Sequence, residues 1–189
     1  MEGPRELEQP RWSLEESGFG LFFQTVTLSF QRYRRPARAI VGLLPTSLGA
    51  LPLWDTGAGH YLLPVDDVEA VWIGITRPSS APQLSLEALS VTGARISLQT
   101  LSKAVEPHEF ILGWPINSLE YHVISRVGPS SANCVDKIDV TVLVEERGSQ
   151  GQIVTTVRLV SFDEFTRNSS LPALRKLDSD VGYKGMLLP

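Results

Sequence analysis

The sequence predicts an all-β protein, an antiparallel β-sandwich or jelly roll of about nine or ten strands with one short C-terminal helix. Three observations predict it. Apolar residues recur with period two in several runs, turn-forming clusters separate those runs at short intervals, and a long hairpin pattern lies in the last third of the chain. The first run starts at Gly18, where Phe22, Val26, Leu28 and Phe30 share one parity and Thr25, Thr27 and Ser29 the other. Ala37–Leu44, entered after Pro36 and closed by Pro45, is a second predicted strand. Val68–Thr76, Leu84–Val91, Ala94–Leu101, Phe110–Trp114 and Leu119–Arg126 continue the series. Pro78-Ser79-Ser80-Ala81-Pro82, Thr92-Gly93 and Gly128-Pro129-Ser130-Ser131 punctuate it as turns. In Lys137–Glu146, Ile138, Val140, Val142 and Val144 oppose Asp139, Thr141 and Glu145; residues 146–151 then turn the chain and Gln152–Phe162 runs back. Leu171–Leu177 is the predicted helix, with Ser169 or Ser170 as N-cap and Pro172 near its first turn. Residues 1–17, charged and carrying two prolines, read as a flexible N-terminal tail, and 18–189 as a single β-sandwich domain.

Composition narrows the function classes. A formal net charge of −4 gives no global attraction to nucleic acid or to an anionic membrane, so neither is an expected partner. Cys134 is the only cysteine, which excludes an intramolecular disulfide and a Cys-rich zinc site. No run approaches the ~18 apolar residues of a membrane span, and the acidic N-terminus lacks the basic-then-apolar pattern of a signal peptide. The expected location is therefore cytoplasmic or associated with a virion or other particle.

Asp55-Thr56-Gly57 is the one segment with the form of a catalytic motif. Read structurally, Asp55 starts an Asx-type turn with Gly57 and Gly59 at unusual backbone angles. The region also resembles retropepsins. Apolar Leu51, Leu53 and Trp54 precede the tripeptide and Ala58 follows it; Val71–Ile75 lies where a flap hairpin would be, and Phe110-Ile111-Leu112-Gly113 looks like the apolar element beside the catalytic loop. The resemblance covers at most residues 37–119. It implies a homodimer in which two copies of Asp55 share a proton and activate one water, because two adjacent carboxylates cannot both ionise cheaply.

The remaining candidates are binding residues. Trp54, His60 and Tyr61 flank a glycine-rich loop, and aromatic faces beside polar groups suit a ligand such as a glycan. Arg32, Arg34, Arg35 and Arg38 make the one dense basic cluster, suited to an anion or an acidic protein surface. His60, His108 and His122 have no metal-ligand spacing, so neither a metal nor another cofactor is expected. There is no Gly-x-Ser-x-Gly elbow, Walker motif or dinucleotide fingerprint. The expectation is a non-enzymatic binding or assembly domain that recognises a protein partner, or a second copy of itself, through loops or sheet edges. The alternatives are the aspartic hydrolase using Asp55 and a carbohydrate-binding jelly roll.

Overall fold

The computed structural model describes residues 11–37, 39–41, 43–98, 108–117, 120–146, 149–177 and 185–187. The first strands are β1 (Ser13–Leu14), β2 (Gly20–Phe23), β3 (Val26–Arg34), β4 (Ile40–Val41) and β5 (Leu43–Pro45). β6 (Trp54–Gly57), β7 (His60–Pro64), β8 (Glu69–Thr76), β9 (Leu84–Ser90) and β10 (Arg95–Leu98) follow. Then come β11 (His108–Ile111), β12 (Gly113–Pro115), β13 (Glu120–Val123), β14 (Val135–Glu146), β15 (Ser149–Val160), helix α1 (Phe162–Asn168) and β16 (Gly185–Leu187).

Two sheets form an all-β sandwich. One is ordered β1-β2-β3-β8-β11 and the other β10-β9-β14-β15-β7-β6. Alternation turns an apolar face of each sheet inward, and removing those faces from water holds them together. Leu28, Phe30, Val71 and Ile73 from the first sheet share a core with Leu63, Leu86, Val140 and Val157 from the second. The expected long hairpin is β14–β15, paired from Lys137↔Arg158 to Glu146↔Ser149, with Arg147 and Gly148 outside the described residues. One pairing is parallel: β7 runs beside β15 from Thr156↔His60 to Val160↔Pro64.

β8 breaks the alternation, since every residue from Glu69 to Ile73 is buried. Val71, Ile73 and Ile75 enter the main core, while Ala70 and Trp72 join Tyr33, Leu44 and Leu112 in a second cluster. A strand buried on both faces needs a third layer. The small sheet β12-β13-β4 and the β5–β16 pair supply it, with Tyr121 and Val123 of β13 packed on that cluster. Within this layer β12 and β13 run close: Gly113 sits at φ +156, and a Cβ there would fall 1.8 Å from the His122 carbonyl oxygen.

Several sequence expectations are corrected. The run from Gly18 to Phe30 is two strands, because Gln24 (φ 52) and Thr25 make a tight two-residue turn with positive φ at the first central position. Phe22 therefore faces outward at 42% exposure and Phe23 faces the core at 1%. The predicted Phe110–Trp114 strand is divided at the buried Leu112. The segment 171–177 is not helical. Seven residues seldom nucleate a helix alone, and the carbonyl of Arg175 accepts a bond from Arg32. The helix forms earlier, at Phe162–Asn168, in residues expected partly as strand. Ser161 caps it by accepting the Glu164 amide, Asp163 and Glu164 favour its positive end, and Phe162 and Phe165 bury its inner face. Of the expected tail, residues 11–17 are described. Ser13–Leu14 pairs with β2 and Trp12 is core, 5.4 Å from the ring of Phe23.

Gly113→Ala is expected to cost more than about 3 kcal/mol, because the added methyl group meets backbone rather than a movable side chain. Urea denaturation of the two proteins checks it; a cost under about 1 kcal/mol would show that β13 can move away from β12.

Candidate functional site

The segment carrying Trp54, Asp55 and His60 is a hairpin, β6–β7, on the edge of the six-stranded sheet. Ala58 (φ 53) and Gly59 (φ 76) both hold left-handed angles, the requirement of a type I′ turn. Thr56 is an extra residue between the Asp55↔Tyr61 and Gly57↔His60 pairs, and its hydroxyl donates to the His60 carbonyl at 3.0 Å. The Asp55 carboxylate accepts the Gly57 amide at 2.7 Å, an Asx-type turn. The tip is fastened to β15, where the Gly59 carbonyl accepts from the Thr155 hydroxyl at 2.6 Å and the Thr156 amide at 3.0 Å.

This hairpin separates residues that the sequence places together. Tyr61 is core: it is 1% exposed, and its hydroxyl, raised above its usual pKa by burial and then by Asp55, donates to the Trp12 carbonyl. Trp54 is half-buried against Leu62, Val160, Phe165, Leu171 and Leu174, so its ring packs protein. Asp55, Thr56, Gly57 and His60 are exposed. The retropepsin-like elements fall elsewhere. Val71–Ile75 is the doubly buried β8 and Phe110–Ile111 lies on β11, both in the sheet opposite Asp55.

Thr56 and His60 nevertheless line a groove of about 410 Å³ on the outer face of the six-stranded sheet. The floor is outward-facing Leu62, Thr156 and Lys137; Arg158, Glu164 and Asn168 of β15 and α1 make the other wall. Arg158 reaches Glu164 at 2.9 Å, while Asp139 accepts from the Thr156 hydroxyl at 2.8 Å and lies 3.5 Å from the Lys137 ammonium. The lining holds two cations, Lys137 and Arg158, against one carboxylate, Glu164. Sequence reasoning missed Lys137, Thr156, Arg158, Glu164 and Asn168. The Ser161-x-x-Glu164 spacing of a capping box was the signal that places a helix over β15.

The arginine cluster is built into the structure rather than held on a loop. Arg32 and Arg34 lie on β3, Arg35 follows, and Arg38 lies outside the described residues. Arg32 pairs at 3.3 Å with Glu69, which is fully buried and whose second oxygen has no hydrogen-bond partner among the described residues. It also donates to the Arg175 carbonyl at 3.1 Å, while Lys176 lies 3.9 Å from Asp66. Burial lifts the Glu69 carboxyl to about 7 against the opposing pull of Arg32. Arg126 pairs with Asp67, and Arg35 donates to the Asp67 carbonyl. Among the described residues no three His, Cys, Asp or Glu side chains gather to hold a metal, and no helix is long and apolar enough to cross a membrane.

No protein family, curated protein or solved structure matches this chain, so the site is read from its own residues.

Asp55→Ala is expected to cost about 1 kcal/mol by removing the turn's acceptor, and Asp55→Asn, which keeps an oxygen there, under about 0.5 kcal/mol. Equal losses in urea denaturation would sink the Asx-turn account. Glu69 gives a pH signature. Its folded pKa lies above its unfolded value, so its contribution is fully present below about pH 4.5 and is lost as pH rises through about 7. That loss is at most roughly 3 kcal/mol. Glu69→Gln should therefore flatten the decline in stability between pH 5 and pH 8; an unchanged decline would assign it to other groups.

Proposed function

We propose that this chain is a non-enzymatic binding domain of a larger assembly, and that it takes an extended segment of a protein partner along β6 and the groove below α1. One observation carries the reading: among the described residues β6 ends its sheet, with β7 as its only neighbour, and it borders a concave surface bearing charges of both signs. An added strand would draw affinity from main-chain hydrogen bonds, while the groove beside it would select a side chain. Lys137 and Arg158, held by Asp139 and Glu164, supply donors that an acidic anchor could take over by partner exchange. The type I′ turn and the two bonds to Gly59 hold the edge in place before binding, which lowers the ordering cost.

The hydrolase alternative draws no support from Asp55, whose carboxylate is engaged by its own turn. The glycan alternative draws none from Trp54, whose ring packs on the third apolar cluster.

Selection of displayed peptides on the full chain tests the proposal. Peptides with an acidic residue at a fixed position should enrich, and Lys137→Ala with Arg158→Ala should weaken them at least tenfold in fluorescence anisotropy. Failure of any motif to enrich, or binding indifferent to both substitutions, would overturn it. Concentration-dependent dimerisation abolished by the same pair would make the partner a second copy.

A further inference from the structure

A second cavity lies at the opposite side of the five-stranded sheet from the groove, under the third layer. It has a volume of about 280 Å³ and is bounded by the chain after β3, the end of β13 and the loop that carries the short 3-10 turn Ser131–Asn133. Small residues leave the space open: Pro36 and Ala37 on one side, Gly128 and Pro129 on the other. The loop wall is tightly packed: a Cβ on Gly128 would come within 2.9 Å of the Asn133 carbonyl oxygen.

The polar groups of this wall already have partners. Asn133 accepts from the Ser130 hydroxyl at 2.6 Å, and its amide nitrogen lies 3.2 Å from Nδ1 of His122. The Ser125 hydroxyl donates to the Val127 carbonyl at 2.6 Å. His122 stacks on Trp114, ring centres 5.3 Å apart, and burial lowers its pKa, so the imidazole is neutral at pH 7.

Arg35 is different. Its Nε is spent on the Asp67 carbonyl at 3.2 Å, and its two terminal nitrogens have no partner among the described residues. Among the described residues no acidic side chain lines the cavity. Asp67, whose backbone carbonyl takes the Arg35 Nε–H, has its carboxylate occupied by Arg126. A half-buried guanidinium with two free donors, between apolar walls and without a counter-charge, calls for an anion that a planar fork can grip. We propose that this cavity binds a small organic carboxylate with an apolar body. A carboxylate fits better than a phosphate, because among the described residues a single cation beside a neutral imidazole offers too few donors for a dianion, and the apolar walls reward a hydrocarbon group.

Amide-detected NMR titration of the full chain with benzoate, phenylacetate and isovalerate tests it, with benzamide and inorganic phosphate as controls. At least one carboxylate should saturate shifts at residues 35–37 and 122–133. Benzamide should bind at least tenfold more weakly than benzoate if benzoate is the one that binds, and phosphate more weakly than the best carboxylate. Arg35→Gln should weaken binding about tenfold, and Arg35→Lys, which keeps the charge without the fork, by less. Arg77→Gln, at an ion pair with Glu109 elsewhere, should leave it unchanged. Four results would each overturn the proposal: no saturation by any of the three carboxylates at about 10 mM, shifts mapping elsewhere, phosphate binding as tightly, or full binding by Arg35→Gln.

Discussion

The burial of β8 on both faces is the constraint on which the rest of this architecture depends. A sandwich of two sheets needs only one apolar face from each strand, and β3 largely obeys that rule through Val26, Leu28 and Phe30. β8 presents Ala70 and Trp72 on the other face, and these need cover. Leaving a side chain as large as tryptophan in water would forfeit roughly 2–3 kcal/mol of burial. The cover comes from β13 and from Leu44 and Leu112, and within this layer β12 and β13 run so close that only glycine fits at position 113. The cavity beside Arg35 is a consequence. It forms where this thin third layer gives way to a loop of Gly128, Pro129 and Ser130 too small to fill the space.

The hairpin from Trp54 to Pro64 is held by a different logic. Its inner residues Tyr61 and Leu63 enter the main core, and Leu62 faces outward to meet Val160 and Phe165. Such a strand must dock along β15, and the chain direction makes that docking parallel. Tyr61 then reaches across to Trp12, which closes the end of the core with Phe23. The exposed strand β6 is thus the outermost consequence of buried contacts, and its turn geometry is fixed by bonds to β15 rather than by its own short length.

Much of the sheet structure was legible because alternation is written into the residues. β8, β9, β14 and β15 fall within a few positions of their predicted runs, since each has four or more apolar residues in strand-like order. The hairpin β6–β7 was not legible. Asp55, Gly57 and Gly59 read as chain breakers, and a four-residue strand with one half-buried and three exposed residues carries no period. The turn after Phe23 escaped for the same reason, because Gln24 has no sequence signal for a left-handed angle. At the site, the sequence named Thr56 only within the Asp55 motif and His60 only as a loop-flanking binding residue, and could not bring Lys137 and Arg158 beside them without the parallel pairing of β7 with β15. Tyr61 and Trp54 look alike in sequence. Parity alone sends one into the main core and leaves the other at its margin.

The Arg32–Glu69 pair shows why charge density in a sequence is a poor guide to a surface. A fully buried carboxylate with one unbonded oxygen is an expensive group, and the attraction of a single arginine rarely offsets the loss of water. Its value must therefore be geometric. Arg32 joins three pieces of chain that share no strand pairing as a set: β3, on which it sits, Glu69 at the start of β8, and the Arg175 carbonyl. Leu171 and Leu174 pack on the cluster around Phe165, and Lys176 approaches Asp66, so the segment beyond α1 is held at both its apolar and its charged ends. An apolar substitute for Glu69 could fill the same volume, yet it would give Arg32 no reason to point toward the Arg175 carbonyl. The cluster that in sequence resembles a free anion site is, in the folded chain, in part a structural tie at Arg32, while Arg35 spends only its Nε on a backbone carbonyl.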